Sequence, residues 1–143
     1  MNRFVRPASA ALVALATTTA LAAPSEASRP KEIFPTKNST YTGGDVDTSS
    51  SAGDITATVK IKIGSDNHVA KRVKLKMTCA GGTFSKTLKN YEITHSVVFE
   101  LTDEFEIRGE WQNKSSLIVT FSTSSTAKAC PGEFFEFTAT KVK

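Results

Sequence analysis

Hydrophobic and polar residues alternate with a period of two along the middle of the chain. In the first run the apolar positions are Ile55, Ala57, Val59, Ile61 and Ile63. After turn residues at 64–67, the second run has Val69, Val73, Leu75, Met77 and Cys79 on one face. A period of two is typical of strands with one buried and one solvated face. The pattern therefore predicts an antiparallel hairpin with a dry and a wet side.

Shorter strand-like runs lie on both sides of this hairpin. One precedes it at 41–44, and others follow at 83–88, 91–93, 97–101, 105–111, 117–121 and 133–142. Glycine, asparagine, aspartate and serine separate them, and no window after the first 27 residues has a helical period. We therefore predict an all-β fold, an antiparallel, immunoglobulin-like β-sandwich, with a small β-barrel as the alternative.

The start of the chain, residues 1–27, has the three parts of a secretory signal peptide. Arg3 and Arg6 give a positive beginning, and an alanine-rich apolar stretch ends in an Ala-x-Ala cleavage site. We expect cleavage after Ala22 or Ala27. The expected product is secreted and extracellular.

The remaining residues divide into two parts. Residues 28–38 contain two prolines and little periodicity, so we expect a flexible tether there. Residues 39–143 have the length of a single domain. The whole chain has a net charge of +4, which is not the charge of a dedicated nucleic-acid binder. We expect no nucleic-acid partner, and the absence of a hydrophobic C-terminal tail predicts no stable membrane insertion.

The chain has two cysteines, Cys79 and Cys130. In an oxidising compartment such a pair most simply forms one disulfide. The alternative is two free thiols or a metal pair, but the neighbouring His or Cys ligands that zinc needs are missing.

The predicted hairpin has a one-sided basic surface. Its outward cations are Lys60, Lys62, Arg72, Lys74 and Lys76. Like charges on paired strands are unfavourable, so the cluster needs an explanation. A neighbouring strand could carry compensating acids, for which Glu104, Glu106 and Glu110 are candidates. Outward lysines could instead protect a sheet edge from aggregation, or the surface could bind an anionic partner.

No catalytic or metal-binding constellation stands out. His68 and His95 fall in predicted turns or strand edges, and the G-x-S-x-G nucleophile motif is missing. The spacing from Asp45 begins like a calcium loop, but Ser50 and Thr56 occupy the positions that need glycine and glutamate. We predict that the protein is not an enzyme, holds no metal and uses no cofactor.

The order of these features resembles an uncharacterised family of secreted, disulfide-containing β-sandwich proteins common in actinobacteria. The resemblance is carried by Tyr41-Thr42-Gly43, the 55–63 strand, Thr78-Cys79 before a glycine turn, the 105–111 sequence FEIRGEW and the 130–141 sequence CPGEFFEFTATK. It implies the sandwich fold and the Cys79–Cys130 pairing. It implies no activity.

Two functional hypotheses follow from the sequence. The first is a secreted, non-catalytic module that associates weakly with anionic cell-envelope material through the basic hairpin. The alternative is a protein-binding module, such as an inhibitor or host-factor ligand, that presents loops at 64–67 or 122–128. An enzyme is a distant third possibility.

Overall fold

The computed structural model describes residues 31–49 and 53–142. The expected signal peptide lies outside these residues. Within them the chain forms strands and turns and no helix. The strands are β1 (Thr40–Asp47), β2 (Ile55–Ile63), β3 (Val69–Cys79), β4 (Gly82–Glu92), β5 (Val97–Leu101), β6 (Phe105–Asn113), β7 (Ser116–Thr123) and β8 (Phe134–Lys141).

All eight strands belong to one antiparallel sheet, in the order β4-β3-β2-β1-β8-β7-β6-β5. The all-β, antiparallel prediction is confirmed. The immunoglobulin-like sandwich is not confirmed, because that fold divides its strands between two sheets. Here each strand pairs with its neighbour in sequence, apart from β1 with β8, and β4 does not pair with β5. The sheet is thus nearly closed and barrel-like, with β4 and β5 at its two free edges.

The sheet curves over one hydrophobic interior, to which every strand contributes. Phe84 of β4 contacts Phe105 and Phe121, with ring centroids 5.5 and 5.8 Å apart. Gly109 on β6 lies at a crowded point, where a Cβ would be 2.9 Å from the Val98 Cγ1, 3.0 Å from the Leu117 Cδ1 and 3.9 Å from the Ile61 Cδ1 of β2. Strands β2 and β6 are far apart in the sheet order, so this approach shows that opposite walls meet across the core.

Side chains bridge the gap between the two edge strands. A tight turn from Thr94 to Val97 joins β4 to β5. Farther along, the Lys86 Nζ lies 4.0 Å from a Glu104 carboxylate oxygen and 5.7 Å from the centre of the Phe105 ring. These contacts link β4 to the connection between β5 and β6 and to the start of β6.

The expected tether contacts the domain wherever the structure describes it, from residue 31 onward. The backbone N–H of Ile33 donates to the Ser96 Oγ, the N–H of Asn38 donates to the Gly64 carbonyl at 2.7 Å, and the Phe34 and His68 rings have centroids 4.1 Å apart. The two prolines remove periodicity from this segment, but its apolar side chains still pack against the core. Lack of periodicity therefore did not mean lack of packing.

Cys79 and Cys130 form a disulfide, with their Cα atoms 5.6 Å apart. Cys79 ends β3, whereas Cys130 lies in the connection between β7 and β8. Strands β3 and β8 are separated in the sheet by β2 and β1. The bond thus ties together parts of the fold that are not hydrogen-bonded neighbours.

We predict that Gly43→Ala destabilises the fold. A Cβ at this position would lie 2.7 Å from both the Ala139 Cα and the Thr138 carbonyl oxygen, so β1 and β8 would have to move apart. Overpacking of this kind costs about 1–3 kcal/mol, measurable by urea unfolding followed through Trp111 fluorescence. The control is Gly81→Ala, whose Cβ would meet only the Cys79 Sγ at 3.9 Å. Equal effects of the two substitutions would contradict the prediction.

Loss of the disulfide should lower the free energy of unfolding substantially. The bond joins residues 51 positions apart, and the loop-entropy relation gives about 4 kcal/mol for such a loop. We expect this loss in the double variant Cys79→Ala/Cys130→Ala, measured by urea unfolding. Dithiothreitol should destabilise the wild type similarly and leave the variant unchanged. A variant as stable as the oxidised wild type would refute the prediction.

Alkaline pH should weaken the contact between the edge strands. Burial, together with the hydrogen bond and charge of Glu100, raises the pKa of Tyr91 from 10.0 to about 12. The folded protein thus keeps this proton more tightly than the unfolded chain, so the stabilisation is complete below pH 10 and is lost as the pH rises towards 12. Urea unfolding at pH 9 and 11.5 should show a smaller loss for Tyr91→Phe than for the wild type. Identical losses would argue against it.

Candidate functional site: a basic sheet face

All five cations that the sequence placed on the wet face of the hairpin are exposed on the outer side of the sheet. The register of β2 and β3 sets Lys60 opposite Lys74 and Lys62 opposite Arg72. Lys76 lies opposite Thr58. Alternation dictates this arrangement, because residues with the same parity on a strand share one face. The structure therefore brings the five predicted residues together.

A sixth cation, Lys89, joins them from β4, and sequence reasoning missed it. Lys89 pairs with Arg72, which pairs with Lys62, so these three cations form a row across three strands. We call such a row of paired residues a level of the sheet. The sequence suggested two short strands on either side of Lys89, whereas β4 runs unbroken from Gly82 to Glu92. The signal that could have found it is the polar series of Ser85, Thr87 and Lys89, which keeps a period of two. We use the name basic face for Lys60, Lys62, Arg72, Lys74, Lys76 and Lys89.

The acidic strand that could have compensated this charge is elsewhere. Strand β6, which carries Glu106 and Glu110, pairs with β5 and β7. Glu110 is bonded to Arg108 at 2.9 Å, and Glu104 lies near Lys86. Among residues 31–49 and 53–142, no salt bridge reaches the basic face. Compensation by a neighbouring acidic strand is therefore the wrong explanation for the charge cluster.

Protection of a sheet edge does not explain the hairpin lysines either. Strand β2 lies between β1 and β3, and β3 lies between β2 and β4. Both are interior strands, so their outward lysines guard no free edge. Only Lys89 and Lys86 are on an edge strand where that role applies. Five cations remain on interior strands, and four of them form two facing pairs of like charge, an arrangement that is unfavourable by itself.

Two shallow, adjoining grooves run over the basic face. The first has a volume of about 490 Å³ and is lined by Thr40, Lys60, Lys62, Arg72, Lys74 and Val142. The second, of about 470 Å³, shares Lys60 and Lys74 with it and extends past Thr42, Thr58, Lys76, Ser85 and Thr87. The lining residues from strand β1 are Thr40, Thr42 and Gly43. The grooves thus offer ammonium, guanidinium and hydroxyl donors along one path.

The other candidate residues lie away from this face. Asp47 accepts hydrogen bonds from the hydroxyl and the backbone N–H of Ser49, and these bonds lower its pKa. In the part of the chain that the structure describes, no group of three or more potential ligands could hold a metal ion. His68 contacts Phe34, and the His95 Nε2 lies 3.8 Å from a Glu32 carboxylate oxygen. Both histidines thus contact the N-terminal segment.

The two loops considered for protein binding are placed differently. Residues 64–67 connect β2 to β3 and receive the hydrogen bond from Asn38. The 122–128 stretch begins inside β7 and continues into a loop in which the Ser124 carbonyl accepts bonds from the N–H groups of Ala127 and Gly132. Both regions thus have internal structural contacts.

Comparisons with protein-family models, curated proteins and solved structures find no match to this chain. Among the described residues, no helix has the length and apolar character needed to span a membrane. The functional argument therefore rests on the geometry and charge of the basic face.

Proposed function

We propose that the protein is a secreted, non-catalytic module that binds anionic cell-envelope material through the basic face. Secretion is supported by the signal-like start of the chain and by the disulfide, which is typical of oxidising compartments. Binding is non-catalytic in this proposal because the basic face offers charge and hydrogen-bond donors without a paired base or nucleophile.

The observation that carries the proposal is an uncompensated charge cluster on interior strands. Lys60 faces Lys74 and Lys62 faces Arg72, with no acid on the adjoining strands β1 and β4 at these levels. A bound anion would replace this repulsion with attraction, so ligand binding would stabilise the folded protein. The cations are exposed, and the attraction should therefore weaken as salt screens it.

Neutralising the basic face should abolish envelope binding. We predict that the wild type co-sediments with insoluble envelope material at low salt and is released at high salt. The variant Lys60→Gln/Lys62→Gln/Lys74→Gln/Lys76→Gln should lose most of this binding, because it removes every lysine that lines the two grooves and leaves Arg72 as their one cation.

The matched control for this experiment is Lys31→Gln/Lys37→Gln/Lys114→Gln/Lys128→Gln. It removes the same charge from exposed lysines outside the two grooves. Retention of binding by the control and loss by the test variant would support the proposal. Equal losses would reduce the effect to net charge, and no binding by the wild type at low salt would overturn it.

A protein-binding role is the second candidate, and exposed apolar side chains favour it. On the outer face of β5 to β8, Phe134 is 65% exposed, Leu101 64%, Phe99 42% and Ile118 39%. Leu101 and Phe134 lie at the same level of the sheet, with Glu106 and Ser122 between them. Capture of one stoichiometric protein that resists high salt and is lost in Leu101→Ser/Phe134→Ser would favour this role over anion binding.

A further inference from the structure

We propose that the ligand of the basic face is a linear phosphodiester polymer that lies along the two grooves, parallel to β2 and β3. This inference rests on the proposed function and narrows it to one chemical class. The juxtaposition that carries it is a ladder of cations at three successive levels of the sheet, which adjoining grooves connect into one path.

The cations of the basic face are arranged in levels. The first level contains Lys62, Arg72 and Lys89, the second Lys60 and Lys74, and the third Lys76. Successive levels are two residues apart along a strand, a distance of about 6.7 Å. A phosphodiester chain with three carbons between phosphates has an extended repeat of similar length. Successive phosphates of such a chain can therefore each meet a level of the ladder.

The two grooves form one continuous binding surface for the polymer. Lys60 and Lys74 line both of them, so the second level connects one groove to the other. Arg72 can donate two parallel hydrogen bonds to one phosphate, whereas the lysines act as point charges. Thr40 and Thr42 add hydroxyl groups from the β1 side. An isolated phosphate would engage one level only, but a chain would engage all three.

The face lacks the side chains that other polyanions would use. At the three levels of the ladder the outward residues of β2, β3 and β4 are threonine, serine, lysine and arginine, with no aromatic ring among them. Single-stranded nucleic acids are held largely by stacking of bases on aromatic rings, so a polymer without bases fits better. Surface-bound membrane proteins insert apolar side chains beside their cations. The large exposed apolar side chains Phe99, Leu101 and Phe134 lie on β5 and β8, and among the described lining residues of the first groove the one exposed apolar side chain is that of Val142.

The test uses base-free oligomers of propanediol phosphate with one, two, four and eight phosphates, each carrying a fluorophore for anisotropy measurements. The affinity of the full mature protein should rise at least tenfold from one to four phosphates, because each added phosphate binds within the same complex. From four to eight phosphates it should change less than about threefold, since the ladder is then occupied. Three neutralised phosphates, one at each level, should give a slope of log affinity against log salt of about −2.

Two variants, each with a matched control, test the ladder itself. Lys60→Gln/Lys74→Gln removes the second level and with it one phosphate contact, so it should reduce the salt slope by about 0.7 and remove most of the gain from chain length. Lys31→Gln/Lys128→Gln removes the same charge elsewhere and should behave like the wild type. On β4, Lys89→Gln should weaken binding several-fold, whereas Lys86→Gln should not, because Lys86 faces Glu104 and Phe105. Unfolding curves of each variant verify that it is folded.

The outcomes separate this inference from the proposed function. Length-dependent binding that the second-level variant loses supports both. If the protein binds vesicles containing phosphatidylglycerol, and binds the oligomers no more tightly than a single phosphate ester, the polymer inference is overturned. The proposal of anion binding then stands, with a lipid headgroup as the ligand. No binding to oligomers, vesicles or envelope material at low salt overturns both.

Discussion

Eight strands of one sheet enclose a single interior, and β2, β3, β6, β7 and β8 bury side chains at alternate positions along most of their length. This constraint places Ile61 of β2 near Gly109 of β6 on the opposite wall. It also determines which residues of a strand face the interior and which face the solvent. Because the lysines of β2 and β3 occupy the remaining positions, they have only the outer surface available. The position of the lysines on the outer surface is therefore a consequence of the way the core is filled.

The sheet is not closed by backbone hydrogen bonds between β4 and β5. Other interactions connect the two ends of the sheet. The turn at His95 and Ser96 keeps β4 and β5 adjacent at one end, with both residues at positive φ. Side chains span the rest of the gap, and the segment from residue 31 packs against the turn through Ile33. The disulfide links the end of β3 to the chain just before β8. A small domain gains from such additional constraints because its core alone provides limited stability.

The basic face illustrates how register converts a sequence pattern into a surface. Facing cations such as Lys60 and Lys74 lower the stability of the free protein, yet the same repulsion makes the surface selective for anions. The adjoining strand β1 has threonine and glycine at these levels, so the grooves stay open and polar. A ligand with repeated negative charges fits these properties better than a single ion, because the cations continue over three levels of the sheet.

The sequence alone determined the strands of the hairpin, the face on which each of its residues lies, and the pairing of its only two cysteines. These are local properties, since alternation has a period of two and needs no knowledge of distant neighbours. Tertiary structure decided which strands adjoin: it brought Lys89 beside Arg72, separated Glu106 and Glu110 from the lysines, and formed one nearly closed sheet. It also packed Phe34 against His68, although the sequence around Phe34 has no periodicity. Strand order and register depend on contacts between residues far apart in the chain, and alternation within one strand carries no information about them.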